Sequence, residues 1–386
     1  MSNKRLGIYL SQSIIGGHYK AFIPPDLPPN PPIDLQTLYP YLEKATQAIT
    51  ELNNITKNIP NTSLFIYMYV RKEALLSSQI EGTQSSFSDL MLFEHDQQPN
   101  VSLEDVEEVS NYVQAINYGL KRLRSGFPLS LRLLREIHGV LLKGIRGEHK
   151  YPGEFRRTQN WIGGTKPADA LFVPPPITHM HELLSNLEQF LHDSNDNLPI
   201  LIKAGIAHVQ FETIHPFLDG NGRLGRLLIT LLLCENGILQ EPVLYLSLYL
   251  KQNRKAYYDF LQRVRTSGDW EVWLEFFLDG VVKSAQQAIW TAQKINMTFE
   301  QDLAKIQTLG RAKFSCLQIF EYLKKLPQIS VSPLSQELGL SAPTVRSAIN
   351  HLVALGVLKE ISNKQRDKVY VYKQYLDLLS EGSEPL

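Results

Sequence analysis

Residues 215–226 read HPFLDGNGRLGR and run straight into LLITLLLCENGIL, and this twelve-residue stretch restricts the chain more tightly than any other. Gly220, Gly222 and Gly225 allow a tight turn and a close backbone approach to a ligand, and the helix that follows opens with N–H groups that no earlier turn satisfies. A helix start of this kind attracts anions. Arg223 and Arg226 lie three apart at that start, so two planar guanidinium forks can reach phosphate oxygens, a bidentate task that lysine performs less specifically. The stretch reads as a polyphosphate cradle. His215, braced by Pro216 at the rim, is an imidazole able to take a proton near neutral pH, and Asp219 offers a carboxylate of the kind through which magnesium meets a phosphate substrate.

Two other readings share part of the pattern. GNGRLG satisfies G-x-G-x-x-G, yet residues 198–211 before it read as a helix and no strand–helix–strand alternation follows, which argues against a dinucleotide fold. A Walker-type G-x-x-x-x-G-K-[ST] is missing. A glycine-rich helix start with two solvated arginines and a hydrogen-bonded histidine would show the same spacing with no ligand at all.

At every fixed position the stretch resembles the signature of the Fic family, H-P-F-x-[DE]-G-N-G-R-x-x-R. The resemblance implies a mainly α protein, with a helical Fic core carrying a small β-hairpin flap. As activity it implies transfer of AMP from ATP to a protein hydroxyl, with Mg2+ and release of pyrophosphate. Carried over position by position, His215 becomes the catalytic base, Asp219 the Mg2+ ligand, and Gly220, Asn221, Gly222, Arg223, Leu224, Gly225 and Arg226 the ATP-binding loop.

Composition excludes several classes. The 386 residues suffice for two or three domains, and 39 Lys plus Arg balance 39 Asp plus Glu, so no global field steers the chain to nucleic acid or membrane. Cys234 and Cys316 are too few for a disulfide scaffold or a zinc cage, and both read as buried small hydrophobes. No run approaches eighteen apolar residues and the N-terminus lacks a signal-peptide core, so a cytoplasmic protein without a membrane partner is expected.

In chain order, PPDLPPNPPI at residues 24–33 reads as an extended arm. Helical periodicity begins at residue 35, and a second helix over residues 63–80 ends in SSQIEG. Ser77 and Glu81 share one face there, and Gly82 stands where a left-handed cap would. A carboxylate at a helix C-terminus works against the dipole, so Glu81 calls for a cation. An ordinary capped helix end would look the same. The ending resembles the inhibitory motif of Fic proteins, [ST]-x-x-x-E-[GN], which Ser77, Glu81 and Gly82 meet. That resemblance implies that Glu81 pairs with Arg226 and competes with the ATP γ-phosphate for it.

Further helices are expected over residues 101–124, 129–142 (with His138 as a structural histidine), 179–192, 198–211, from the loop to 236, 248–265 and 270–293. Between 143 and 176 the text is rich in Gly and Pro and reads as a loop and a hairpin. By resemblance this is the Fic flap, which holds a target segment by strand-like pairing. Ile162, Gly163, Gly164 and Thr165 then belong to it, with Arg156, Arg157 and Gln159 placed beside it. The two arginines would equally suit a solvated or structural pair. Tyr257 falls by resemblance in the adenine pocket, and as a plain aromatic in the core.

From about residue 312 the succession helix, helix, helix, strand, with Gly339 in a turn, resembles a winged helix-turn-helix domain. Arg346, Lys359, Lys364, Arg366, Lys368 and Lys373 outnumber Glu360 and Asp367 between 341 and 373, a local net of +4. Thr344, Arg346 and Asn350 would face outward on the recognition helix, with Lys364 and Arg366 in the wing. DNA binding through 341–373 stays open beside protein contact or a homodimer. The expected organisation is an N-terminal arm and helices over 1–110 with the motif at 77–82, a Fic domain over 111–295 and a winged-helix-like domain over 300–386. The expected protein is an autoinhibited adenylyltransferase acting on Ser, Thr or Tyr hydroxyls, its own included. Two alternatives remain: removal of AMP with Glu81 positioning water, and a nucleotide-sensing regulator acting on DNA.

Overall fold

The structure, a computed structural model, describes residues 5–14, 17–58, 62–94, 99, 101–144, 148–195, 197–362 and 368–385. It is mainly helical with small pieces of sheet. At its centre lie α7 (Ile200–Ile214) and α8 (Asn221–Glu235), joined by the HPFLDG turn. Residues 201–214 of α7 are all buried, as expected of a helix wrapped on every side. Its neighbours are α6 (Ile177–His192), α10 (Arg254–Ser267) and the long α11 (Trp270–Gln307), whose Trp273 indole donates to the Gly205 carbonyl at 3.0 Å.

The N-terminal helices form a second layer. Along α11 packs α1 (Leu35–Asn58), and α2 (Thr62–Ile80) threads between α4 (Leu103–Arg124) and α9 (Ser247–Gln252), buried from Met68 to Ile80. A short α3 (Phe87–Glu94) leads into α4, which Ser102 caps by accepting from the Asp105 N–H. Against α4 lies α5 (Leu131–Leu141), capped in the same way by Ser130.

Three features differ from the sequence expectation. Upstream of the proline-rich arm, β1 (Ile8–Ile14) and β2 (Gly17–Ile23) form an antiparallel hairpin, and Phe22 N donates to Val173 O at 2.9 Å, fastening it beside the segment expected to be the flap. The expected helix over 248–265 breaks at Asn253 into α9 and α10. The closing helix runs on to Gln307, through the junction expected near 295–300. Cys316 is buried as expected, whereas Cys234, near the end of α8, is only half-buried.

The C-terminal region holds α12 (Lys313–Lys325), β3 (Gln328–Ser330), α13 (Val331–Leu338), α14 (Ala342–Ala354), β4 (Lys359–Glu360), β5 (Val369–Val371) and α15 (Lys373–Ser380), with antiparallel sheet order β3-β5-β4. Gly339 ends α13 in the left-handed conformation, and Ser341 caps α14. Lys364 and Arg366, expected in the wing, lie outside the described residues. The region is moored to α11 by Tyr372, whose hydroxyl donates to Asp302 at 2.6 Å. Beyond α15 the chain returns to α2: Gln79 Nε2 donates to Ser383 O at 2.8 Å, and Lys251 Nζ bridges Gln79 Oε1 and Glu384 O. Among the described residues no helix is long and apolar enough to cross a membrane.

Candidate active site

His215 ends α7 in a left-handed conformation, φ 50° and ψ 60°, which a non-glycine residue adopts only when its surroundings hold it there. Here they do. The His215 carbonyl accepts from Arg156 Nε at 3.0 Å and Asn160 Nδ2 at 3.1 Å, while Arg156 N donates to Pro216 O and Asn160 Nδ2 to Phe217 O. The turn then bonds to itself through Asn221, whose side-chain amide pairs with both the N–H and the carbonyl of Phe217 at 2.9 Å. From the other side His138 accepts from Gly153 N at Nδ1, which leaves its Nε2–H to donate to Asp219 O at 3.0 Å. Burial pushes the His138 imidazole down to about 4, so it serves this role neutral.

His215 Nδ1 faces the Glu212 carbonyl at 3.3 Å. A proton on Nδ1 satisfies that contact and leaves the Nε2 lone pair free to act as a base. Burial lowers the imidazole to about 4; the Arg265 and Arg156 guanidinium groups add to the fall, and the bond to the Glu212 carbonyl opposes it.

Gly220 supplies the positive φ of 73° that starts α8, whereas Gly222 lies within the helix and serves another end. A Cβ on Gly222 would stand 2.1 Å from Glu81 Oε1, so the carboxylate of Glu81 rests directly on the first turn of α8. It holds the place of an anion at a helix N-terminus. Glu81 Oε1 also accepts from Arg226 Nη2 at 2.7 Å, and Arg226 is tied to Ser77 through Nε to Oγ and Nη2 to the carbonyl, both at 2.8 Å. Burial by itself would raise the Glu81 carboxyl, but Arg226 outweighs it and holds the group below its usual range. Gly82, next in the chain, has φ 107°.

Arg223 is held as well. It reaches Glu108 of α4 at 2.8 Å and Asp219 Oδ1 at 3.4 Å, and its Nε is buried without an acceptor. Glu108 accepts in turn from the Thr83 hydroxyl at 3.1 Å, two residues past Glu81. The Asp219 side chain is 48% exposed, and its Oδ1 accepts from Gly220 N at 2.6 Å. Leu224 and Gly225 are buried in α8 and turn toward the core.

In the hairpin expected to be the flap, Ile162 N donates to Phe172 O at 2.8 Å and Ile162 O accepts from Leu171 N at 2.9 Å. Gly163 and Gly164 make the turn, and Thr165 is fixed by Asp169 through its N–H at 3.0 Å and its hydroxyl at 2.8 Å. Of the two arginines beside it, Arg156 is buried and structural, and Arg157 projects into solvent. Gln159 Nε2 donates to Pro174 O at 2.9 Å. Tyr257 is 1% exposed: its hydroxyl bonds to His208 Nε2 at 2.8 Å and its ring lies against Trp273, so the structure places it in the core, with Tyr258 beside it at the surface.

Two residues here carried no motif signal: Glu108 and Glu212. Glu212 sits one turn before His215, with Oε2 4.0 Å from Nδ1 and Oε1 buried without a donor. A buried acid three residues before the histidine is the signal that would have found it.

Comparison with known proteins gives the family of three regions of the chain. Residues 39–121 match the family model described as Fic/DOC family N-terminal, residues 128–233 match Fic/DOC family, and residues 317–359 match Winged helix-turn-helix DNA-binding. The chain belongs to the Fic family. Among similar curated Fic proteins, the protein adenylyltransferase Fic of Drosophila grimshawi is 30% identical over 195 residues, 50% of this chain and 37% of that protein. The protein of the same name from Culex quinquefasciatus is 33% identical over 169 residues, 44% of this chain and 31% of that one. The chain thus spans about a third of the length of these relatives. A Fic family protein from Desulfovibrio desulfuricans has the same fold at TM-score 0.57 and 19% identity, over 87% of this chain and 95% of that one. A Fic domain containing signaling protein from Bacteroides thetaiotaomicron aligns at TM-score 0.51 and 19% identity, over 64% of this chain and 97% of that one.

Proposed function

We propose that this Fic protein transfers AMP from ATP to a hydroxyl of a protein, itself included, and that Glu81 restrains the reaction. The observation that carries the reading is the seat of the Glu81 carboxylate: on Gly222 and against Arg226, beside the bare Nε2 of His215. A triphosphate binds where that carboxylate lies. With Glu81 displaced, the first N–H groups of α8 and Arg223 and Arg226 take the phosphates, and His215 Nε2 removes the proton of a Ser, Thr or Tyr hydroxyl. The oxygen forms its bond to the α-phosphorus as the bond to pyrophosphate breaks. Preorganised donors aimed at the phosphates supply most of the rate in such a transfer.

Asp219 fits a magnesium ion that travels with the nucleotide: one half-exposed carboxylate is what Mg2+ asks of a protein when phosphates and waters fill its remaining positions. Bound there, the ion would neutralise charge on the α- and β-phosphates. The flap would align the target by backbone pairing at the outer edge of its strand.

Intact-mass measurement of the Glu81→Gly chain with ATP and Mg2+ tests the reading. An added AMP is the expected product, label from the α-position must enter, and label entering from the γ-position would make the protein a kinase. Release of AMP from a modified protein would reverse the direction, with Glu81 holding the water. A second role is favoured by the C-terminal match: Thr344, Arg346, Ser347 and Asn350 are exposed along α14, the helix that reads the major groove in such domains. A salt-dependent, sequence-selective shift of duplex DNA by the full chain, lost in Arg346→Ala, would support it.

A further inference from the structure

An imidazole that takes a proton becomes a cation, and nothing in the loop itself balances one at His215. Arg265 and Arg156 make the charge costlier, and Glu81, from the end of α2, is the acid that favours it while it occupies the cradle. Among the described residues, the Nδ1–H that the ring must keep has one acceptor at hydrogen-bond range, the Glu212 carbonyl at 3.3 Å. The nearest acid among the described residues is the side chain of that same residue, 4.0 Å from Nδ1.

Glu212 is an odd group to bury. Its Oε1 has no donor, which a chain tolerates in its interior only for a reason. The groups facing it are His215 at the end of its own helix, Arg226 from α8, Arg265, Tyr257 and Tyr258 from α10 and Glu81 from the end of α2. The cradle makes room for it as well: a Cβ on Gly225 would meet Glu212 Oε1 at 2.3 Å, so the third glycine of the stretch, at a position the signature leaves open, gives space to this acid. Burial raises the carboxyl to about 7, partly offset by Arg226, which puts its ionisation in the range where a base is needed.

We propose that Glu212 is a positioning residue for His215: its carboxylate accepts the Nδ1–H and balances the ring's charge while Nε2 takes the target's proton. The hydroxyl proton goes to Nε2, the oxygen bonds to the α-phosphorus, pyrophosphate leaves with the electrons of the broken P–O bond, and the proton on Nδ1 stays on the ring, shared with Glu212. A side-chain shift of about 1 Å closes the gap, the usual difference between a resting site and its working geometry. This role rests on the transfer reading above.

The test uses the full chain carrying Glu81→Gly, compared with the same chain carrying Glu212→Gln or Glu212→Asp. Initial rates of AMP incorporation are read from pH 5.5 to 9 with ATP varied. Glu212→Gln is expected to lower kcat about 10- to 100-fold, to leave the KM for ATP within about twofold, and to abolish the rise in rate near neutral pH; Glu212→Asp restores part of each. An unchanged kcat and pH profile overturns the proposal. So does a raised KM at constant kcat, which would make Glu212 a support for Arg226 alone. A second measurement needs neither nucleotide nor turnover: in the unsubstituted full chain, the His215 ring resonance must show an inflection near pH 7 as Glu212 ionises. Its absence overturns the proposal even if a variant fails to fold. If that inflection appears and the Glu81→Gly chain takes up no AMP, the transfer reading fails and the pairing of the two groups stands.

Discussion

Replacing Glu81 with glycine tests the restraint most directly, and its size follows from the contacts. One charge-assisted hydrogen bond of 2.7 Å joins Glu81 to Arg226. In a dry interior such a bond is worth about 1.5–3 kcal/mol. The Glu81 side chain is 37% exposed, however, against 2% for Arg226, and solvent screening lowers the estimate to about 1–2 kcal/mol. A triphosphate competing for the same guanidinium should therefore bind about 5- to 30-fold more tightly once the acid is gone. Arg226 should stay in place without it, because its two bonds to Ser77 remain. Its charge then lacks a partner, so the ligand-free variant should unfold at a lower temperature than the wild type, and ATP with Mg2+ should restore the loss. Glu81→Gln, which keeps an oxygen acceptor without the charge, should fall between. Calorimetric titration with ATP reads the affinity and intact mass reads the AMP added. A Glu81→Gly chain that binds ATP no more tightly than the wild type would refute the reasoning, whatever its labelling.

Three further outcomes are expected. His215→Ala, placed in the Glu81→Gly chain, should abolish AMP incorporation while ATP binding persists, as titration and mass measurement together would show. Arg156→Ala removes the donors to the carbonyls of His215, Ile214 and Pro175, and should cost about 3 kcal/mol or more in denaturant unfolding together with the activity. Stability should fall with acidity. His138, His208 and His215 are held neutral at about 4, 3 and 4, so the unfolded chain binds more protons as pH drops below about 6.5. Glu73 and Glu212, raised to about 7, oppose this by holding protons in the folded state. Three histidines against two glutamates leave one proton, a loss of about 1.4 kcal/mol per pH unit between about 6.5 and 4.5. Unfolding free energies that rise toward acid over that range would contradict it.

The sequence showed the helices, the cradle and the winged-helix succession because each has a local signature: an apolar period, a glycine-rich turn, a capping serine such as Ser102 or Ser341. The hairpin was missed although GG at residues 16–17 stands between apolar runs, a strand signal overshadowed by the prolines that follow. The break at Asn253 left no trace, since KQNRK continues a helical pattern. Glu108 and Glu212 were invisible for another reason. What marks them is burial beside Arg223 and His215, which depends on how α4 and α7 cross the loop and not on neighbours in the chain.

The bond between Gln79 and Ser383 joins residues 304 positions apart. A ribosome adding about 5–20 residues per second needs roughly 15 to 60 s to bring the second after the first. The helices around the cradle are complete by Gln307, so each nascent chain passes through seconds in which a finished core has emerged, with α2 tied to Arg226 and Lys251, while its bond to Ser383 has yet to be made. Chains stalled at residue 350 during translation should accept AMP more readily than released ones, and equal uptake would show that α2 holds Glu81 in place unaided.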